Sequence, residues 1–208
     1  MTSTSPTPAA GTPPADQDPK DRILDAAERL FTESGVGATS LRAITQAAGM
    51  NVAAIHYHFG SKESLLLAVA RRRSEPINRA RLAAFDELEE RAGGEPIPVR
   101  DLMEAFLRPE LMNETMSAIL LQEPSDVIAE MVPKLFGEVH GRLLGLLVRS
   151  LPDLDPRECE RRLRFAVGSM LHVLRGLTEI EMPGGAPRGE FDPGQRLAEL
   201  IAFTTAGF

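Results

Sequence analysis

A single cysteine, no tryptophan and one tyrosine stand among 208 residues. One thiol, Cys159, cannot build an intramolecular disulfide framework or a cysteine-based zinc site, and it suits a reducing compartment. Long apolar runs are missing as well, since no stretch approaches the roughly 18–20 residues a membrane span requires. Residues 1–19 lack the basic start and apolar core of a secretory signal. These absences lead us to expect a cytoplasmic protein with no membrane partner. No period-2 apolar run is bounded by turn residues, so a β-sheet is not expected and the fold class is all-α. Neither a Gly-rich phosphate loop, a Gly-x-Ser-x-Gly elbow nor a kinase signature occurs, and the expectation is that the chain is no enzyme and carries no cofactor. The sequence also lacks His-x-x-x-His and Glu-x-x-His pairs. His56 and His58 are about 200° apart around a helix, and His140 and His172 lie on separate segments, so no metal site is expected.

What is present is a globular composition, 43% hydrophobic and 25% charged. The formal net charge of -7 argues against a nucleic-acid partner until it is divided along the chain. Residues 20–73 carry eight Lys and Arg against five Asp and Glu, a net of +3, whereas residues 74–208 carry fifteen against twenty-three, a net of -8. A small basic module joined to a larger acidic body is the pattern of an anion-binding domain on a carrier.

Residues 1–19, MTSTSPTPAAGTPPADQDP, offer almost nothing apolar to bury and read as a disordered arm. Ile23, Ala27, Leu30 and Phe31 then fall at i, i+4, i+7 and i+8 of an amphipathic helix that Gly35 closes. Leu41, Ile44 and Ala48 repeat the spacing in a shorter helix, with Thr39 or Ser40 as N-cap and Gly49 as stop. Asn51 caps a third, very short helix bearing Ile55 and Phe59, and a fourth begins at Ser61. Beyond it, breaks are expected at Pro76, from Gly93 to Pro98, near Pro109, at Pro124, around Pro152 to Pro156, and across the Pro/Gly-rich stretch after Met182. Leu163 to Leu177 is the most apolar of the later helices, and Gln195 to Thr205 forms a short closing one.

Three helices in about forty residues, with a tight turn at Gly49-Met50-Asn51, match the helix-turn-helix outline. The string ATSLRAITQAAGMNVAAIHYHFGSKESLL, residues 38 to 66, closely resembles the DNA-binding domain of the tetracycline-repressor (TetR) family of bacterial transcriptional regulators. Tyr57-His58-Phe59 and Gly60-Ser61-Lys62-Glu63 are similar to the family's usual end of the recognition helix and start of the next. The resemblance implies a helix-turn-helix domain over residues 20–66 and a helical ligand-binding and dimerisation domain over residues 67–208. It further implies a sequence-specific regulator, a homodimer on a palindromic duplex operator, usually a repressor released by a small molecule. The other reading is an all-α small-molecule binder or enzyme whose N-terminal tri-helix is only structural.

The candidate DNA contacts are Thr39, Ser40, Arg42, Asn51, Val52, Ala53, Ala54, His56, Tyr57, His58 and Lys62. Small Ala53 and Ala54 let a helix backbone approach base edges in a major groove about 12 Å wide, and they can meet thymine methyls. Tyr57 has a hydroxyl suited to a phosphate oxygen, a role the resemblance also implies. Lys62 is a cation in the first turn of a helix, which is mildly unfavourable unless a phosphate binds there with it. Arg42, Thr39 and Ser40 form a second candidate backbone contact, although capping also explains the two hydroxyls. Val52 stands where many relatives carry Lys or another polar residue, which removes a contact. Ile55 and Phe59 read as core, and His58 as either packing or contact.

In the larger body, Met103, Met112, Met116, Met131, His140, Met170 and His172 are the candidate lining of a pocket for an apolar or amphipathic effector, methionine being adaptable. Phe165, Met170, Leu171, Leu174, Leu197, Leu200 and Ile201 are the candidate dimer interface, on two helices that pair with their symmetry mates as a four-helix bundle.

Overall fold

The computed structural model describes residues 18–111, 125–174 and 192–208, which form two compact units divided between Val69 and Ala70. Every regular element among them is an α-helix. The first unit holds α1 (Pro19–Ser34), α2 (Leu41–Ala48), α3 (Val52–Phe59) and the start of α4 (Lys62–Ala92). The second holds the rest of α4, α5 (Val99–Leu111), α6 (Ser125–Ser150), α7 (Pro156–Leu174) and α8 (Pro193–Ala206). Residues 1–17 of the expected arm, Met112, Met116, Pro124 and residues 175–191, with the end of the expected helix at Leu177, lie outside the described residues.

The helices of the first unit start and stop on local chemistry. Asp18 accepts from the Lys20 N–H at 2.9 Å, with Pro19 already pre-set for the first turn. Ser40 and Asn51 cap α2 and α3 by accepting from the N–H groups of Ala43 and Ala54 at 3.1 and 3.0 Å. Gly49, at φ 65° and ψ 38°, ends α2 in the left-handed conformation while Met50 N–H donates to the Thr45 carbonyl at 2.8 Å. Of the apolar stripes read from the sequence, Ile23, Ala27 and Phe31 of α1, Ile44 and Ala48 of α2 and Ile55 of α3 are buried, while Leu30, Leu41 and Phe59 are half-buried; Leu65, Leu66 and Val69 of α4 are buried as well.

One expected break is absent. α4 runs through Pro76, and α6 likewise carries Pro133 within it, whereas α5 ends at Leu111, two residues past Pro109 and at the edge of the described residues. A proline removes one i→i−4 bond and crowds one carbonyl. In α4, burial of Ala70 and Ser74 before Pro76 and of Ile77, Arg81 and Phe85 after it holds both halves on one course. The break from Gly93 to Pro98 is real, with Gly93 and Gly94 both at positive φ.

The core of the second unit gathers Phe85 and Leu88 of α4, Leu102, Met103 and Leu107 of α5, Leu143, Leu146 and Leu147 of α6, Cys159, Leu163 and Met170 of α7, and Leu197, Leu200 and Ile201 of α8. Burial raises the Cys159 thiol above its ordinary range. Ion pairs tie the elements at the surface. Arg142 of α6 pairs with Asp86 at 2.7 Å and with Glu89, which also meets Arg149. Arg162 of α7 donates to the carbonyls of Gly207 and Phe208 at 3.1 and 2.9 Å, fastening the chain end. It also holds the Glu158 carboxyl below the usual carboxylate range, with Arg161 assisting. Arg81, a fully buried cation of this unit, donates to the Phe106 carbonyl at 2.8 Å and lies 4.4 Å over its ring.

Candidate nucleic-acid interface

α3 is two turns long, and its residues divide by exposure. Ile55 is fully buried and anchors the helix, Phe59 is half-buried, and Tyr57 is 85% exposed. Asn51, Val52, Ala53 and His56 are exposed, with Ala54 and His58 half-buried. Tyr57 and His58 meet edge to face, their ring centroids 5.0 Å apart. α3 therefore offers small residues at its start and three rings at its end. The Asn51 carbonyl oxygen is engaged in the cap, so its part is first to start the helix.

The turn into α4 is built on Gly60. Its φ of 78° and ψ of −56° are those of a positive-φ γ-turn, closed by the Ser61 N–H donating to the Phe59 carbonyl at 3.0 Å. Ser61 then caps α4, its hydroxyl oxygen accepting from the Ser64 N–H at 3.1 Å. Lys62 follows, half-buried in the first turn. Glu63 stands beside it, its carboxyl held below the usual range by its own backbone N–H, then by Ser61, with the Lys62 charge a smaller cause. The positive end of this helix thus already faces one carboxylate, which Lys62 offsets.

On α2, Ser40 is an exposed cap and Arg42 is exposed in the first turn, whereas Thr39 is turned inward. Thr39 is 4% exposed, and its hydroxyl donates to the carbonyls of Gly35 and Leu30 at 2.7 and 3.2 Å. Its one hydroxyl proton is thus engaged in bracing the α1–α2 connection. Sequence reasoning missed two positioning residues, Gly60 and Arg22. The Arg22 guanidinium donates to the Ala48 carbonyl at 2.6 Å, and no local pattern signals a bond across 26 positions.

In the second unit the candidate interface residues separate into two groups. Met170, Leu197, Leu200 and Ile201 are buried in the core of the single chain. Phe165 is 74% exposed, Leu171 is 38% exposed and Leu174 is half-buried. Phe203 of α8, 67% exposed, joins Phe165 along an open groove of about 640 Å³ between α7 and α8. The candidate pocket residues scatter. Met103 and Met170 are packed in the core, Met131 is buried on α6, and His140 is half-buried. His172 is exposed and lines the same groove as Phe165.

Residues 23–69 match the family described as bacterial regulatory proteins, tetR family, and residues 115–207 match the tetracyclin repressor-like C-terminal domain. An uncharacterised HTH-type transcriptional regulator of Mycobacterium tuberculosis is 30% identical over 184 residues, covering 87% of this chain and 82% of its own. The HTH-type transcriptional repressor AcnR of Corynebacterium glutamicum is 41% identical over 63 residues, 30% of this chain and 32% of that one. Among solved structures, the fatty acid degradation regulator FadR of Bacillus halodurans shares the fold with a TM-score of 0.66 at 15% identity, covering 94% of this chain and 98% of that one. The SmeT–triclosan complex does so with a TM-score of 0.66 at 23% identity, covering 91% of each. With both of its parts matched and a relative aligned along most of its length, the chain belongs to the tetR family of bacterial regulatory proteins and is a DNA-binding transcriptional regulator.

Proposed function

We propose that this regulator is a cytoplasmic repressor that grips a palindromic operator as a homodimer and leaves it when a small apolar or amphipathic molecule enters the second unit. The observation that carries the DNA-reading part is the division of α3, with Ile55 buried and Tyr57, the only tyrosine, 85% exposed beside Ala53 and His56. So exposed, the Tyr57 hydroxyl is free to reach a phosphate oxygen while the small residues before it approach the bases. In this reading Ala53 and Ala54 approach base edges, while Tyr57, Lys62, Ser40 and Arg42 hold phosphates. Residues 20–66 do the reading and residues 67–208 hold the partner copy and the effector.

Two copies are required because a two-turn helix on one half-site offers too few base contacts for specific affinity. The exposed Phe165, Leu171 and Phe203 support α7 and α8 as the surface where the copies meet. Effector binding in the second unit is supported by the match of residues 115–207 to the tetracyclin repressor-like C-terminal domain. The structural neighbour SmeT was solved with triclosan, so the fold admits a small molecule. Release is proposed to run through α4, whose first residue is Lys62 and which continues into the second unit.

The test is a salt titration of duplex binding by fluorescence anisotropy. Lys62→Ala should weaken specific and random duplexes alike and flatten the slope of log affinity against log salt by about 1. An unchanged slope would remove Lys62 from the interface. A wild-type protein that binds no duplex above background would refute the reading as a whole.

A further inference from the structure

The imidazole of His56 is exposed on α3, and its Nδ1 lies 2.9 Å from the carbonyl oxygen of Gly60. A carbonyl oxygen only accepts, so this contact is a hydrogen bond when Nδ1 carries the proton. Gly60 turns its carbonyl to this place for a backbone reason, the positive-φ γ-turn described above. Its N–H is meanwhile taken by the carbonyls of His56 and Ile55 at 3.1 and 3.2 Å, so the turn is fixed from both ends of the peptide. A neutral imidazole carries one ring proton. With that proton on Nδ1, Nε2 is a bare acceptor.

We propose that His56 is a specificity-determining residue that accepts, through Nε2, a hydrogen bond from an exocyclic amino group in the major groove: N6 of adenine or N4 of cytosine. The inference rests on the reading of α3 as the helix that enters that groove. The groove supplies the matching code, because adenine and cytosine present amino donors there while guanine and thymine present acceptor oxygens. An acceptor on the protein is drawn to the first pair and repelled by the second. An arginine or lysine at this position would select guanine; the bond to Gly60 gives His56 the opposite preference. The same bond limits the freedom of the ring before DNA arrives, which lowers the ordering cost of the contact.

Two measurements decide it, both on the 208-residue chain at pH 8. Long-range proton–nitrogen NMR of uniformly labelled protein, with His56 assigned through its backbone, should show the proton on Nδ1. A proton on Nε2 overturns the proposal. Selection from a randomised duplex library should then give one position per half-site occupied by adenine or cytosine on a defined strand. At that position the amino group is deleted, adenine being replaced by purine or cytosine by 2-pyrimidinone. The deletion should cost the wild type about 2- to 10-fold in affinity, the range of a single neutral hydrogen bond, and cost His56→Phe nothing. An equal loss in both proteins, or no such position, overturns the inference alone. A wild type that selects no sequence over random duplex refutes the DNA-reading function, and this inference falls with it. His56→Ala, which also lacks an acceptor, serves as the second variant if the Phe substitution disturbs the fold by circular dichroism.

Discussion

Arg22 of α1 donates through Nη2 to the carbonyl of Ala48, the last residue of α2, at 2.6 Å. The last carbonyls of a helix lack intrahelical donors and sit at the negative end of its dipole, so a guanidinium there satisfies both demands. The bond also fixes where the chain turns into α3. A Cβ added at Gly49 would come within 2.8 Å of the same Nη2. Replacing Arg22 by Met keeps the aliphatic stem and removes the donor. The N-terminal unit should lose about 1.5–3 kcal/mol, the range for a hydrogen bond to a charged group, and operator affinity should fall with it. Urea unfolding followed by Tyr57 fluorescence measures this, and a wild-type midpoint would show the bond to be dispensable.

Gly60 makes a separate demand. At φ 78° any L side chain is strained, yet an added Cβ would meet nothing within 4 Å. The cost of Gly60→Ala is therefore conformational alone, about 1–3 kcal/mol. Gly49→Ala combines a left-handed φ with the approach to Arg22, so it should cost more than Gly60→Ala. Equal midpoints for the two variants in thermal unfolding would show that Arg22 moves aside freely.

The N-terminal unit was legible because its signals are local. Ser40, Asn51 and Gly49 act on neighbours three or four positions away, and the stripe from Ile23 to Phe31 needs only its own period. Pro76 misled because the propensity of a proline is local, whereas the burial that carries α4 past it comes from distant elements. Thr39 showed only a polar residue before a helix, and which way its hydroxyl turns depends on Leu30 and Gly35. On α7, Phe165, Leu171 and Met170 are all apolar, and hydrophobicity does not reveal which face meets its own chain. The bond between His56 and Gly60 depends on the turn geometry, which a lone glycine in the sequence does not specify.

Cys159 is fully buried in the core of the second unit, and its thiol is held above the ordinary range by that burial. The thiolate is the reactive form, so the native protein should label slowly with a chromogenic disulfide reagent at pH 7 and rapidly in denaturant. Because the residue belongs to one unit, its labelling reports the opening of that unit alone. Fast labelling of the native protein would mean that α7 detaches far more readily than its packing allows.

The face that carries Phe165 and Phe203 can be separated experimentally from the core just beneath it. Phe165 is mostly exposed in the single chain and Leu200 is buried, although both line the groove between α7 and α8. Phe165→Glu deletes apolar surface that water already touches, so the monomer's stability should change by no more than about 0.5 kcal/mol, the usual range for an exposed site. In a dimer the same change buries a charge opposite an apolar patch, and the self-association constant should weaken at least tenfold. Leu200→Ala should do the reverse, costing the fold about 2–5 kcal/mol through a cavity, with association lost only as far as unfolding removes it. Sedimentation equilibrium and urea unfolding on both variants give the four numbers. Because each half-site needs its partner for specific affinity, Phe165→Glu should also lower binding to a palindromic operator while leaving binding to random duplex unchanged. A Phe165→Glu protein that sediments as the wild type does would place the pairing surface elsewhere on the second unit.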